Sequence, residues 1–160
     1  MKKIIILILF PLLSIAQSNL SVSASGGVLL IKEDMGENTD LTVSYKVSKN
    51  TIVNVSGMIA NLRNDDLKID YDFKKIATTA EYFFHENSYL GLSANAGFSY
   101  IFIDKKVGLD KDDGLGIELG IKSTFNIDKH FNYGFILNST YSSVSPGGIL
   151  QGNFFFKYNL

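Results

Sequence analysis

The side chains that could do chemistry are few, and their spacing narrows what they could do. The sequence holds two histidines, His85 and His130, and no cysteine. Thiol catalysis and disulfides are therefore excluded. Acyl transfer of the nucleophile–base kind needs a serine within reach of a histidine that an acid orients. His85 lies in "FFHENSY" and His130 in "IDKHFN", with no Gly-x-Ser-x-Gly or Ser-x-x-His context around either. Both fall where short turns are expected and read as exposed turn residues. The stretch "LDKDDGLGIE" offers hard oxygen ligands at Asp110, Asp112, Asp113 and Glu118. A calcium-binding EF-hand loop needs glycine at its sixth position and glutamate at its twelfth. Counted from Asp110, Gly114 comes too early and Glu118 lies on an expected strand, so the match fails. The stretch reads as an acidic, solvated loop that could hold divalent cations only weakly. No catalytic residue, cofactor or metal site is expected.

The remaining charges of interest sit on strands. Lys46, Glu81, Glu118, Lys122 and Lys157 are scattered among Gly, Ser, Asn and Thr at alternate positions. The elements that carry them are set by period two, which dominates the chain, whereas helical period is nearly absent. In "YLGLSANAGFSYIF" one parity holds Leu90, Leu92, Ala94, Ala96, Phe98, Tyr100 and Phe102, and the other Gly91, Ser93, Asn95, Gly97 and Ser99. "LGIELGIKSTFNI", "NYGFILNSTYSS" and "DLTVSYKVS" alternate in the same way. Less regular strands are expected over 20–32, 51–63, 69–84 and 149–160, which brings the total to eight. Gly26-Gly27 and Gly57 suggest a kink or bulge. In the fourth strand Tyr71 and Phe73 share a parity that changes near Lys74-Lys75 and resumes at Ile76, Thr78, Ala80, Tyr82 and Phe84. A β-bulge at the lysine pair would restore the facing.

The first residues, "MKKIIILILFPLLSIAQS", carry a positive start, a short apolar core and the small-x-small end Ser14-Ile15-Ala16. That pattern predicts a secretory signal peptide over 1–16, leaving 17–160 as the mature domain. The apolar core is about half of the ~20 residues a helical span needs. With Lys2 and Lys3 removed, the formal charge is −3, and no basic face points to nucleic acid.

Connections near Lys49-Asn50, His85–Ser88 and Asp128–His130 are short. Those near 33–40, 64–68, 103–114 and 145–148 are mostly longer and rich in Asp, Glu, Asn and Gly. Short turns at one end and longer loops at the other suit an up-and-down barrel in a membrane. Alternation alone allows a second barrel, a soluble periplasmic one that turns its apolar parity inward around an apolar ligand. The polar parity separates them. A water-facing wall carries many Lys, Glu and Gln, whereas here the polar parity is mostly small, as a crowded interior requires. Its few charges, Lys46, Glu81, Glu118, Lys122 and Lys157, are expected inside the barrel, where they can pair with each other. The apolar parity is nearly uncharged, as lipid contact demands. Aromatic residues gather toward strand ends, Tyr82, Phe84, Tyr133 and Tyr158 at one and Tyr71, Phe73, Tyr100, Phe102 and Tyr141 at the other, as at membrane interfaces.

Together the leader, eight alternating strands, unequal connections and the final "GNFFFKYNL" resemble the small outer-membrane barrels of the OmpA and OmpX/Ail type. The resemblance implies an all-β, eight-stranded antiparallel up-and-down transmembrane β-barrel behind a cleaved signal peptide. It implies the outer membrane as location, with membrane lipids and lipopolysaccharide around the barrel. It also implies that Phe154, Phe156, Tyr158 and Leu160 form a C-terminal signal read by the barrel-assembly machinery. Leu160 stands where that family usually carries Phe or Trp. The implied role is structural or adhesive, through the longer loops and a ligand not identified. Some such barrels modify lipid A, which would require a Ser/His pair near the outer rim.

Overall fold

The computed structural model describes residues 19–64, 67–104, 111–145 and 147–160. The expected leader, Asp110 and Pro146 lie outside these residues. Eight strands follow in order: β1 (Leu20–Ile31), β2 (Asp34–Lys46), β3 (Thr51–Asn64), β4 (Ile69–Glu86), β5 (Leu90–Ile103), β6 (Asp113–Asn126), β7 (Phe131–Ser142) and β8 (Ile149–Asn159). Each pairs antiparallel with the next, and β8 closes on β1 from Ser21↔Asn159 to Ile31↔Ile149. Closure leaves no free edge, which answers the backbone hydrogen-bonding demand of every strand.

The register fixes the barrel's tilt. A hydrogen-bonded row that leaves β4 at Ala80 passes Ala96, Leu119, Ser139, Leu150, Leu30, Met35 and Arg63. It returns to β4 at Asp70, a stagger of ten residues. For eight strands that stagger corresponds to a strand tilt of about 40° and an interior that side chains can fill.

Three expectations about the strands are corrected. The β1–β2 connection is not a loop over 33–40. It is a tight turn at Lys32 and Glu33, with Lys32 at φ 55°, and β2 begins at Asp34. The asymmetry of the two ends therefore rests mainly on the connections over 104–112 and 143–148. Pairing runs unbroken through Gly26, Gly27 and Gly57, so the glycines mark no bulge. Nor is there a bulge at Lys74-Lys75; the register slips instead between Phe83 and His85. Tyr71 and Phe73 thus stay on the same face as Lys75, Ala77 and Glu81, and all five are buried inside the barrel. They do not join an outer aromatic girdle.

The interior falls into two zones. Toward the 104–112 and 143–148 connections, Leu29, Ile31, Met58, Ala60, Leu62, Tyr71, Phe73, Ile101, Ile103, Val144 and Ile149 form one apolar cluster. Toward the short turns the inward residues are mostly polar, among them Ser21, Ser44, Asn54, Ser93, Asn95 and Asn132, with Ile52 and Phe155 as buried apolar exceptions. Outward residues at mid-wall are exposed and apolar, such as Val43, Val55, Ile76, Phe98, Ile117 and Leu137.

Candidate functional site

Two regions carry the features a function could use: the apolar outer wall and the charged interior. The wall follows directly from strand alternation. Leu119 and Phe135 point outward with 48% and 54% of their surface exposed. Leu90 and Leu92 share the outward parity of β5. A soluble barrel that wraps an apolar ligand would have all four inside; they lie on the other face. Aromatic rings pack along the wall near the short turns. Phe135, Phe154 and Phe156 form a chain with centroids 5.2 and 4.9 Å apart, and Tyr158 meets Phe131 at 4.9 Å. Near the other end Tyr100 and Phe102 lie 4.7 Å apart, and Tyr100 donates its hydroxyl to Asp113 at 2.6 Å. Phe156, Tyr158 and Leu160 are exposed on the outer wall, and Phe154 is half-buried there.

Inside, the charges form two clusters. Lys75 donates to Glu118 at 3.0 Å, to Gln151 at 3.2 Å and to Thr140 at 3.4 Å. All three ammonium protons are used. Thr140 in turn donates to the second Glu118 oxygen at 2.8 Å. Gln151 leads on to Asn38, which also accepts from Asn153 at 2.7 Å. In the second cluster Lys122 donates to Glu81 at 3.2 Å, and Ser93 and Asn54 donate to the same carboxylate at 2.7 and 3.2 Å. The Lys122 amine also lies 4.6 Å above the buried ring of Phe155. Such pairs hold only because the remaining lone pairs and protons find partners.

Glycine makes room for this crowding. A methyl group on Gly134 would come within 2.9 Å of the Phe155 ring, and one on Gly120 would strike the Asn138 side chain. The inward glycines of β6 and β7 thus create the space that the large inward side chains occupy.

Of the five charges singled out from sequence, Glu81, Glu118, Lys122 and Lys157 point inward, and the first two are fully buried. Lys46 departs from that placement. It ends β2 and is exposed at the short-turn mouth of the barrel. Sequence reasoning missed Lys75, Asp40 and Asp34, all buried. Asp40 accepts from Thr42 at 2.7 Å, and Asp34 accepts from Tyr71 at 2.8 Å and Asn64 at 2.9 Å. A register carried through Lys74-Lys75 without a slip would have found Lys75. A strand begun at Asp34 would have found the two aspartates.

The chemistry-bearing residues do not come together. His130 contacts the Asn159 carbonyl at 3.1 Å and His85 the Asn87 amide at 3.2 Å, both at the short-turn end. Glu118 is bound to Lys75 and Asp113 accepts from Tyr100, so these two members of the acidic stretch do not converge. Among the described residues no group of three or more His, Asp or Glu side chains is placed to hold a metal ion. In the turn over 127–130, Asp128 accepts from the backbone N–H of His130 at 2.6 Å and of Phe131 at 2.8 Å. These bonds, Phe131's foremost, hold its carboxyl below the usual carboxylate range.

The same barrel occurs in known structures. The N-terminal β-barrel domain of Pseudomonas aeruginosa OprF superposes with a TM-score of 0.63 at 13% identity, covering 90% of this chain and 98% of that one. The fold is that of the small eight-stranded outer-membrane barrels. Ail, the attachment invasion locus protein of Yersinia pestis, matches at 0.57 and 16% identity over 88% of this chain and 95% of its own. The outer-membrane enzyme PagL matches at 0.60 and 15% over 88% and 99%. No protein-family model and no curated protein matches the sequence. At such identities the likeness concerns the fold, and one fold serves many functions.

Proposed function

We propose that this chain is an integral outer-membrane protein without enzymatic activity, serving as an envelope component or as an adhesive surface. The observation that carries the reading is an uncharged, apolar outer wall at mid-height around a lower interior that is polar and holds the ion pairs Lys75–Glu118 and Lys122–Glu81. Lipid can solvate the first and has no access to the second. A charge on the lipid face at the bilayer midplane costs ~2–4 kcal/mol, which is why such a wall excludes them.

In this reading the leader over 1–16 directs export, the short turns face the periplasm, and the connections over 104–112 and 143–148 face outward. Lipids and lipopolysaccharide surround the wall. Loops carry the interactions of such scaffolds, and the ligand they take is of unknown chemistry. The PagL likeness raises an enzymatic alternative. It is disfavoured because both histidines sit at the short-turn end, hydrogen-bonded to Asn87 and to the Asn159 carbonyl. Fractionation is the test: the protein should co-purify with outer membranes and migrate differently on gels when unheated. Recovery as a soluble periplasmic protein would sink the proposal.

The reading also assigns Phe154, Phe156, Tyr158 and Leu160 to recognition by the barrel-assembly machinery. Leu160→Phe should then raise the folded fraction in membranes slightly. Slower or poorer folding would count against an assembly signal here.

A further inference from the structure

A cavity of ≈ 250 Å³ opens at the short-turn end of the barrel. Its lining includes three lysines, Lys46 at the end of β2, Lys129 in the turn over 127–130 and Lys157 on β8. Glu86 is the only carboxylate among the lining side chains. The volume holds several waters, each taking about 30 Å³ of liquid, or one small solute with part of its hydration shell.

Three side chains in this cavity lack partners although they are almost out of water. Lys157, at 9% exposure, makes no hydrogen bond and no ion pair among the described residues. Thr124, at 5%, leaves its hydroxyl unpaired, and Asn132, at 9%, leaves its carbonyl oxygen unpaired. Two carboxylates, Glu81 and Glu86, attract Lys157 through space, but neither forms an ion pair or hydrogen bond with it. Glu81, the next carboxylate inward, is already held by Lys122, Ser93 and Asn54. A buried ammonium without a partner is costly, as are unpaired buried polar atoms. The two charge clusters deeper in the barrel show the contrast, because there every lysine has its carboxylate.

We propose that this mouth is an anion site for a protonated phosphoryl group, as in hydrogen phosphate or the monoanion of a phosphomonoester, whose second proton leaves at about pH 6. The ammonium of Lys157 and the Thr124 hydroxyl would donate to phosphoryl oxygens. The Asn132 carbonyl oxygen needs a donor, and the P–O–H group supplies one. A simple carboxylate such as acetate carries no donor and would leave that oxygen unpaired. Lys46 and Lys129, exposed at the rim, attract the anion from solution and fall outside the buried contact set. The site is independent of whether the outer loops are adhesive.

The experiment uses the whole mature protein folded in detergent micelles, with folding checked by unheated gel migration. Calorimetric titration with inorganic phosphate should show saturable binding, at least tenfold tighter than acetate. Lys157→Gln should weaken phosphate binding tenfold or more, and Thr124→Val by a smaller factor. Lys74→Gln, on the outer wall, should leave it unchanged. If Lys157→Gln fails to fold, Thr124→Val and Asn132→Ala carry the test in its place. Glycerol 3-phosphate tells the sources apart. Competition shows that the site takes a terminal phosphoryl on a larger molecule, and lack of competition confines it to inorganic phosphate; either supports the site. Absence of saturable binding, equal affinity for acetate, or native affinity in folded Lys157→Gln would overturn it.

Discussion

β4 turns its apolar side chains from the inside of the barrel to the outside within a few residues, without changing register. At Tyr71 and Phe73 the inward face is apolar, while Asp70, Asp72 and Lys74 face out. Below them the faces exchange roles. Ile76 and Tyr82 are exposed, and Glu81 is buried. β3 does the same: Leu62 and Ala60 point in opposite Arg63 and Asn61, then Asn54 points in opposite Val53 and Val55. One strand geometry therefore serves two surroundings. The upper part of these strands is built like a water-soluble barrel, with apolar burial inside and charge outside. The lower part is inverted, with the apolar side chains outside and hydrogen bonds inside, as the proposed lipid surroundings require. The lesson is that a parity change can record a change of solvent along a strand rather than a slip in pairing.

The largest expected effect comes from the seam between the halves, where Lys75 meets Glu118. Lys75→Met leaves a buried carboxylate without its cation and should cost about 3–5 kcal/mol. The double variant Lys75→Met/Glu118→Leu should recover most of that loss, because neither charge then needs a partner. Equilibrium urea unfolding from lipid vesicles measures both. A double variant as unstable as the single one would mean that the pair is not the organising element of the interior.

Leu62→Ala probes the upper half, where burial rather than pairing stabilises. It should cost about 2–4 kcal/mol through lost burial and the cavity left behind. No second substitution of the kind that rescues Lys75→Met should rescue it. The outer wall gives the next contrast. Leu119→Arg, at mid-wall, should cost ~2–4 kcal/mol in a bilayer. Asn61→Arg, on the outward face beside Asp72, should change stability by no more than about 0.5 kcal/mol, since that position is already exposed and polar. Equal costs at the two positions would place both in the same medium and remove the solvent boundary.

Much of the lower half was legible in the sequence, because there the alternation has one cause. The outward face of β5, β6 and β7 is apolar along most of its length, so parity alone sorted Leu92 from Ser93 and Ile117 from Glu118. The upper half was legible in its residues and not in their facing. Tyr71 and Phe73 looked like members of an outer girdle because aromatic residues near strand ends usually are. What decided otherwise was the pairing of β4 with β3, a relation between distant residues that no local pattern states. Asp34, Asp40 and Lys75 escaped for the same reason. Charged residues near an expected loop or bulge read as solvated until the strands on either side are seen to close over them. The unpaired Lys157 was found on its face, but its lack of a partner depends on which carboxylates other strands bring near.

The smallest expected effect concerns the short-turn end, where side chains instead of loop length fix the connection. Asp128 accepts two backbone N–H bonds across its turn, and Asn87 does the same for Tyr89 and Leu90 at 2.9 and 2.8 Å. The two turns differ in that only Asp128 titrates. Its carboxyl is held below the usual carboxylate range by those bonds. A group depressed on folding contributes stability that is present above its unfolded value and lost as pH falls through the folded one. Asp128→Asn keeps an acceptor oxygen and removes the charge, so the variant should lose little at neutral pH. It should also flatten the acid limb of the stability curve below about pH 4. The matching change at the other turn, Asn87→Asp, should add such a limb. Unfolding midpoints measured across that range in the two variants decide it: if both curves keep the native slope, backbone geometry alone sets these turns and the side-chain caps are incidental.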